Sequence, residues 1–523
     1  MKYILGISDG HDAGASLIDT EGHIVFAATE ERYTRVKHQR GPPVNAVSDI
    51  KKYLIERNEE DSVITIAIGG VFRREKRLKE LKNLLHKLFP DVPCVFIGHH
   101  LAHAASAYYT SGFKESLVIT LDAAGDGLSG SVSIGKDGEL IPLHNLSYLD
   151  SIGDFFASIT EFLGYKPMSD EHKVASMAAY ASSTPLLEEM KNIIDFDERT
   201  FAFHNKLGVV GHRAMQKLEN ILSRENPFEV AAAAQEHLLT LVRLFFEKAV
   251  DQYGIKNVAF AGGVAGNVQL NMYLKEWGIV NDLWVFPHMG DGGIHVGAAL
   301  EVLSRIKISE GKRLTPYRLS NVYLGPSFSQ TDIETAYNKF KNTIKMKQID
   351  PTEEIPKLLA NNKFVGLVQG RMEFGPRALG NRSLLANPTI GENQRILNKR
   401  KGRSWFQPFA PTILVEYGED YLKSFFESPF MTFAFHVTGK ALTEIPAVIH
   451  KDKTTRPQTL SNENQRYRKI LESINDELGV PAVLNTSLNI HGEPIVNTPY
   501  DALLTLKKKL VDFLVIDNYL FYY

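Results

Sequence analysis

One cysteine, Cys94, occurs among 523 residues. A single thiol excludes an intrachain disulfide and any Cys-x-x-Cys metal knuckle. Cys94 lies in Val92-Pro-Cys-Val-Phe-Ile97, which reads as a buried strand. Long apolar runs are also missing. None approaches the ~20 residues of a membrane helix, so no membrane partner is expected. Charge of one sign is scarce too. The formal net charge is −2, and without a basic stripe no nucleic-acid partner is expected. Met1-Lys-Tyr-Ile-Leu-Gly-Ile-Ser-Asp9 lacks the apolar stretch of a signal peptide and reads directly as a strand. The expected localisation is cytoplasmic. No G-x-x-x-x-G-K-[ST] loop occurs, which excludes a P-loop NTPase. Gly125-Asp-Gly-Leu-Ser-Gly130 matches G-x-G-x-x-G, but a hairpin follows it where a dinucleotide site needs a helix.

What remains is an ordinary globular composition, 44% hydrophobic and 23% charged. The length suffices for at least two domains. A weak internal repeat organises the first part. Residues 3–9 read as a strand ending in Asp9, then a glycine turn, a strand at 15–18, a tight turn and a strand at 24–28. The order recurs: a strand at 116–121 ended by Asp122, a glycine-rich loop, a strand at 131–134, a tight turn and a strand at 139–143. Duplicated hairpins of this kind resemble the actin/sugar-kinase (ASKHA) ATPase fold, so the class expected is α/β. Helical periodicity covers 46–57, 74–88, 155–163, 229–252 and 266–277. The strand 257–261 runs through Gly262-Gly263 into a helix, a turn with exposed amides suited to ribose or phosphate. Another strand, 282–286, leads to Asp291-Gly-Gly293 and the helix 296–305, and 306–345 reads as closure of this domain. The domains expected are 1–345 and 346–523, joined by a polar linker at 345–354. Apolar strands at 364–368, 482–484 and 512–516 place a second α/β domain after the linker. The polar stretch 451–467 reads as a functional lid.

Chemistry concentrates in a few places. In Gly370-Arg-Met-Glu-Phe-Gly-Pro-Arg-Ala-Leu-Gly-Asn-Arg-Ser383, three arginines (Arg371, Arg377, Arg382) fall within twelve residues among glycines and a proline. Rigid turns with guanidinium forks suit several phosphate oxygens. His99 and His103 stand one helical turn apart in His99-His-Leu-Ala-His103, a half-site for a divalent metal that Asp122 and Asp291 could complete. His100 then faces away. The same histidines could equally cap a helix, and the sequence leaves both readings open. Ser8-Asp-Gly-His-Asp12 puts His11 between two carboxylates, which suits a general base acting on a hydroxyl. A plain Asp/Gly turn is the alternative. Arg395, Lys399, Arg400, Lys401 and Arg403 precede Trp405-Phe-Gln-Pro-Phe409, readable as a solvated face or as part of the arginine site. Arg456 adds a cation, and Asn485 and Ser487 offer donors at the end of a buried strand.

The motifs at 370–383, His99-His-Leu-Ala-His-Ala104 and Glu30-Glu-Arg-Tyr-Thr-Arg-Val-Lys-His38 resemble the NodU/CmcH family of O-carbamoyltransferases along essentially the whole chain. The resemblance implies an actin-like (ASKHA) N-terminal domain and a YrdC-like C-terminal domain. It implies carbamoyl phosphate and ATP, with Mg2+, as substrates. Carbamoyl adenylate forms, and a hydroxyl-bearing small molecule accepts the carbamoyl group. It assigns a metal, Fe2+ before Mn2+ or Zn2+, to His99, His103, Asp122 and Asp291. Transfer falls to His11, Asp12 and Lys37. Nucleotide contact falls to Gly127, Gly262, Gly263 and Asn267. Carbamoyl phosphate and ATP in the C-terminal domain fall to Arg371, Arg377, Lys401, Arg403, Arg456, Asn485 and Ser487. A homodimer is left open. Two departures bear on acceptor and phosphate affinity: Gln407 replaces the family's arginine, and Lys173-Val-Ala-Ser-Met-Ala-Ala-Tyr-Ala181 differs from the usual block. Rival readings are an actin-fold small-molecule kinase or ATPase, which leaves the arginine-rich second domain unused, and a tRNA-modification factor of threonylcarbamoyl type.

Overall fold

The computed structural model describes residues 1–71 and 75–523. They form two compact units. The first comprises Met1–Glu30 and His38–Leu319, and the second Glu31–Lys37 and Ser320–Tyr523. Both mix helices and strands, as the α/β expectation requires.

The first unit contains two sheets of one design. Strands β1 (Tyr3–Ser8), β2 (Gly14–Asp19), β3 (Ile24–Thr29), β4 (Val63–Gly69) and β5 (Cys94–Ile97) lie in the order β3-β2-β1-β4-β5. Strands β6 (Glu115–Gly125), β7 (Leu128–Lys136), β8 (Glu139–Ser147), β9 (Asn257–Ala261) and β10 (Asp282–Val285) repeat it as β8-β7-β6-β9-β10. In each sheet the first three strands are antiparallel and the last two join in parallel. Parallel neighbours need crossover connections, and helices Val44–Ile55 and Glu75–Leu88 supply them in the first sheet. Position 74, expected to open the second of these helices, lies outside the described residues. The apolar central strand β1 is buried at all six positions. The helix Ile294–Ser309 packs where side chains are smallest. A Cβ on Gly297 would lie 1.8 Å from the Ala102 carbonyl, and one on Gly6 1.9 Å from the His295 carbonyl. The long helix Pro227–Tyr253 starts at the Asn226 side chain and stops at Gly254, whose φ of +70° suits glycine. Cys94 is exposed, not buried, because β5 is the edge strand of its sheet.

The second unit is an eight-stranded mixed sheet. Its strands are β11 (Lys345–Gln348), β12 (Val365–Val368), β13 (Arg382–Ala386), β14 (Ala410–Leu414), β15 (Gln458–Leu460), β16 (Ala482–Ser487), β17 (Phe513–Ile516) and β18 (Tyr519–Tyr522). Their order is β11-β18-β17-β12-β13-β16-β14-β15. Helices Pro351–Ala360 and Gln465–Leu478 cover the sheet through Ile355, Leu359, Ile470 and Ile474, packed on Val365, Leu385 and Val483. Each such side chain contributes roughly 1.5–3 kcal/mol on burial, as an upper bound.

Three expectations change here. The stretch 345–354, read as a linker, forms edge strand β11 and opens the helix Pro351–Ala360. Residues 320–345, read as closure of the first domain, belong to the second unit. There Tyr337 meets Phe521 and Phe340 meets Tyr500 at ring distances of 5.8 and 5.5 Å. The supposed lid at 451–467 contains β15, whose three residues are buried in the sheet. Its polar side chains Gln458 and Thr459 bond inside the fold, to Thr412 and Ser428. Polarity alone made the segment look loose.

Candidate active site: two clusters of buried charge

In the first unit His99 and His103 share one face of the helix His99–Tyr109. Asp122 stands near the end of β6, where the register with β7 breaks between Leu121 and Gly125. A bulge of this kind re-aims a side chain out of the ladder. Asp291 opens the short turn Asp291–Gly293. The four ligand-type atoms lie within 4.8 Å of one another. His99 Nε2 is 3.2 Å from His103 Nε2 and 3.1 Å from Asp122 Oδ2. Asp291 Oδ1 lies 3.6 and 3.5 Å from the two histidine nitrogens. Bonds of ~2.0–2.1 Å in a tetrahedron put ligand atoms ~3.3–3.4 Å apart, so these separations suit a divalent ion. Gly125 leaves room for the His99 ring, since a Cβ there would come within 2.0 Å of it. His100 turns away, as expected, and bonds Thr120 Oγ1 at 2.9 Å. Burial pushes its pKa down to about 3. Burial also pushes His103 down, but the bonds and charges of Asp122 and Asp291 prevail and raise it to about 9. Burial pushes Asp122 up, and His103 and His99 outweigh that and hold it well below the carboxylate range. His103 Nδ1 is buried without a hydrogen-bond partner.

Asp126 supports this cluster, and sequence reasoning missed it. Its Oδ2 accepts the His99 N–H at 2.9 Å and the Val71 N–H at 2.8 Å. The helix cap Gly98 has no side chain of its own, so Asp126 fixes the helix end from another loop.

A second group stands on the first glycine loop. Asp12, with φ +53°, bridges two imidazoles: His11 Nδ1 is 2.8 Å from Oδ2, and His38 Nδ1 is 2.8 Å from Oδ1. The rings stack at 4.7 Å, and His38 Nε2 reaches Ser169 Oγ at 3.0 Å. With Nδ1 donating to Asp12, Nε2 is the basic atom of His11. Burial lowers the His11 pKa, but the bond and charge of Asp12, then the charge of Asp291, raise it overall. Burial raises Asp12, and the two histidines bring it far below normal. The other expected flank, Asp9, does not serve His11. It is fully buried and takes both Arg77 Nε and Nη2 at 2.7 Å. Ser169 and Arg77 were not singled out from sequence, whereas Lys37-His38 was grouped with this loop without a stated role for His38. Only His38 carried a signal, as neighbour of Lys37 in the Glu-Glu-Arg segment. Lys37 itself belongs to the second unit.

The turn expected to contact nucleotide has other attachments. Gly262, φ +96°, approaches Leu121 so closely that a Cβ would lie 2.2 Å from its carbonyl oxygen. The Gly263 N–H donates to Asp122 Oδ1 at 3.1 Å. Asn267 caps the helix Val268–Glu276 through the Leu270 N–H and donates to Gln235 at 2.9 Å. Gly127, φ +85°, has no neighbour where a Cβ would stand, so backbone conformation alone requires glycine.

In the second unit the three motif arginines do different work. Buried Glu373 gathers the loop: its Oε1 accepts the N–H groups of Leu379, Asn381 and Arg382 at 2.7, 2.7 and 3.1 Å. Arg382 is fully buried and donates to the carbonyls of Gln369, Asn381 and Asn497. Arg371 donates to the carbonyls of Leu324 and Gly325. Both are built into the backbone by these bonds. Arg377 Nε is buried without a partner, as is Arg382 Nη2.

Arg377 is joined by Arg403 and Arg456. Burial pushes Arg377 and Arg403 down to about 10, and the charge of Arg377 adds to the effect on Arg403. Arg456 falls further, through burial and then the charges of Arg377 and Arg403. Lys401 is buried beside them and is pushed well down by burial and then by Arg403. Its Nζ donates to the Ser487 carbonyl and to Asn489 Oδ1, which also accepts Ser487 Oγ at 2.6 Å. Asn485 buttresses the loop by donating to the Ala378 carbonyl at 3.2 Å. The rest of the basic run points elsewhere: Arg400 pairs with Asp512 and Arg395 with Glu392. Gln407 is fully buried with Nε2 unpartnered. Lys173, in the altered block, pairs with Asp170 at 3.0 Å. Among the described residues no helix is long and apolar enough to cross a membrane.

Residues 69–300 match the family described as Carbamoyltransferase N-terminus, and residues 356–522 the one described as Carbamoyltransferase C-terminus. The chain is 41% identical to an uncharacterized protein of Methanocaldococcus jannaschii over 99% of each chain. It is 32% identical to nodulation protein NolNO of Sinorhizobium fredii over 98% of this chain and 78% of that one. Among solved structures, T. kodakarensis HypF aligns with a TM-score of 0.38 at 16% identity, covering 59% of this chain and 48% of that chain.

Proposed function

Since the chain belongs to the carbamoyltransferase family and is a carbamoyltransferase, we propose that it transfers a carbamoyl group to a hydroxyl of a small molecule through carbamoyl adenylate made with ATP. The observation that carries this is the cluster of Arg377, Arg403, Arg456 and Lys401. Lys401 is buried and the three arginines are half-buried. Burial lowers the pKa of all four, neighbouring cations add to it for Lys401, Arg403 and Arg456, and among the described residues no carboxylate pairs with them. A phosphate-bearing substrate supplies the missing negative charge.

In this reading the second unit cleaves carbamoyl phosphate with water to carbamate and phosphate. A carbamate oxygen then attacks the α-phosphorus of ATP, the bond to the β-phosphate oxygen breaks, and pyrophosphate leaves. Arg377, Arg403 and Arg456 bind and orient the phosphate oxygens, and Lys401 adds charge beside them. In the transfer step the acceptor oxygen attacks the carbamoyl carbon and AMP departs. The hydroxyl proton passes to His11 Nε2, while Asp12 holds the ring by Nδ1 and stabilises the imidazolium. His38 fixes Asp12 from its other oxygen. Lys37 is assigned to the same step. Gly127 and the Gly262–Gly263 turn are the nucleotide-side backbone. His99, His103, Asp122 and Asp291 would hold a divalent cation, Fe2+ before Mn2+ or Zn2+, which supplies positive charge for phosphate oxygen when bound. ATP itself enters with Mg2+.

The test is product analysis with purified protein, ATP, carbamoyl phosphate and a panel of hydroxylated acceptors. AMP and pyrophosphate that depend on carbamoyl phosphate, with a mass gain on one acceptor, are expected. ADP under all conditions would return the chain to phosphoryl transfer and sink the adenylate reading.

A further inference from the structure

We infer that Arg32, assisted by Arg35, is a positioning residue of the anion site in the second unit. The inference rests on the anion-site reading above and deepens it.

The two arginines come from a segment that sequence order assigns to the other unit. Glu31–Lys37 packs with Ser320–Tyr523. Arg32 is only 3% exposed, so its role is internal. Its Nη2 donates to the Gly375 carbonyl at 2.6 Å. Gly375, at φ +137°, stands two residues before Arg377. Arg35 donates to the carbonyls of Ile495 and Pro494 at 2.6 and 2.7 Å, with Asp501 3.8 Å away. Those carbonyls follow the turn that presents Asn489, the partner of Lys401 and Ser487. Asn489 Nδ2 closes that turn on the Glu493 carbonyl at 2.6 Å.

Each arginine thus grips the backbone of one loop that frames the cationic cluster. The grip has a purpose that follows from charge. Arg377 stands near Arg403 and Arg456, and repulsion and hydration both favour a relaxed turn with its guanidinium in water. A planar guanidinium fork fixes a carbonyl in direction as well as distance. Arg32 applies such a restraint at the Gly375 carbonyl, two residues before Arg377. Arg382 completes the lacing, tying the same two loops through Gln369 and Asn497. With the turn preorganised, binding an anion need not order it first.

The experiment compares wild type, Arg32→Met, Arg32→Lys and Arg35→Gln in the full chain. Two readouts are used: the carbamoyl phosphate concentration for half-maximal AMP formation, and the rise in Tm on adding inorganic phosphate. Arg32→Met is expected to raise half-saturation by about 10- to 100-fold, with a smaller change in kcat, and to shrink the phosphate-induced Tm rise. Arg32→Lys should recover part of both, and Arg35→Gln should shift both less. A phosphate-responsive wild type with an equally responsive Arg32→Met, at unchanged half-saturation, overturns the inference and leaves the anion site standing. A wild type whose Tm ignores phosphate overturns the anion site and the inference together. Should Arg32→Met fail to fold, Arg32→Lys and Arg35→Gln decide: wild-type values in both variants overturn the positioning role.

Discussion

The histidine–aspartate cluster of the first unit and the arginine cluster of the second meet the same difficulty, buried charge, in opposite ways. In the first, two imidazoles face two carboxylates at 3.1–3.6 Å. Protons can bridge the facing atoms, although His103 Nδ1 stays without a partner, and a bound cation would compete with those protons. In the second, four cations face one another, and each is pushed down by burial, the neighbouring cations adding for all but Arg377. That arrangement costs stability unless an anion compensates the charge. On the proposed reading, the first site is gated by proton competition and the second by charge compensation. The difference also explains the scaffolds. The first rests on a helix end and a bulged strand. The second needs Glu373, Arg371 and Arg382 to hold its loop together at the backbone.

The largest effect should separate the two units by chemistry. His11→Asn is expected to slow transfer from preformed carbamoyl adenylate by ~10²–10⁴-fold while adenylate formation persists. A single-turnover rate within a few-fold of wild type would make His11 a positioning group. The pH profile sharpens this. The base must be neutral, and Asp12 raises the His11 pKa, so transfer should gain rate as pH rises above the usual imidazole range. Asp12→Asn removes that charge and should move the inflection to lower pH.

Next in size, Arg377→Ala should reduce carbamoyl-phosphate-dependent pyrophosphate release by roughly 10²–10³-fold. It should also leave Tm in phosphate-free buffer equal or higher, since a like charge is relieved. A large loss of Tm there would mean that the cations are paired in solution, and the contrast between the clusters would collapse.

The smallest effect probes the first cluster from outside its ligands. Asp126→Ala is expected to lower metal affinity by about 10–100-fold, because the His99 helix end loses its cap. Elemental analysis at limiting metal reads this. Since Asp122 and Asp291 push the His103 pKa up to about 9, wild-type affinity should itself rise with pH above neutrality, with proton release on binding. Affinity that is flat in pH would show that protons do not compete.

Much of the first unit was legible because its signals are local. Apolar alternation, the tight turns at 19–22 and 136–138, and an Asp at the end of each first strand spell the same hairpin twice. His99 and His103 follow from helical spacing alone, and so does the outward turn of His100. The second unit was less legible. Strand β15 hid in a polar run because its side chains bond to the interior. The edge position of Cys94 depends on sheet order, which no local pattern carries.

By itself the sequence determined the α/β elements, the duplicated hairpins and the pool of residues from which both clusters are drawn, since period, turn chemistry and residue type are written locally. Tertiary structure decided which members of that pool act. Arg371, Arg377 and Arg382 are alike in sequence, yet carbonyls hold two of them, while Arg377 Nε is buried without a partner. Asp9 and Asp12 both flank His11 along the chain, yet Arg77 takes the first and His38 shares the second. A charged side chain is defined by the partner it meets. Those partners lie tens to hundreds of positions away, where only the folded chain brings them within hydrogen-bonding distance.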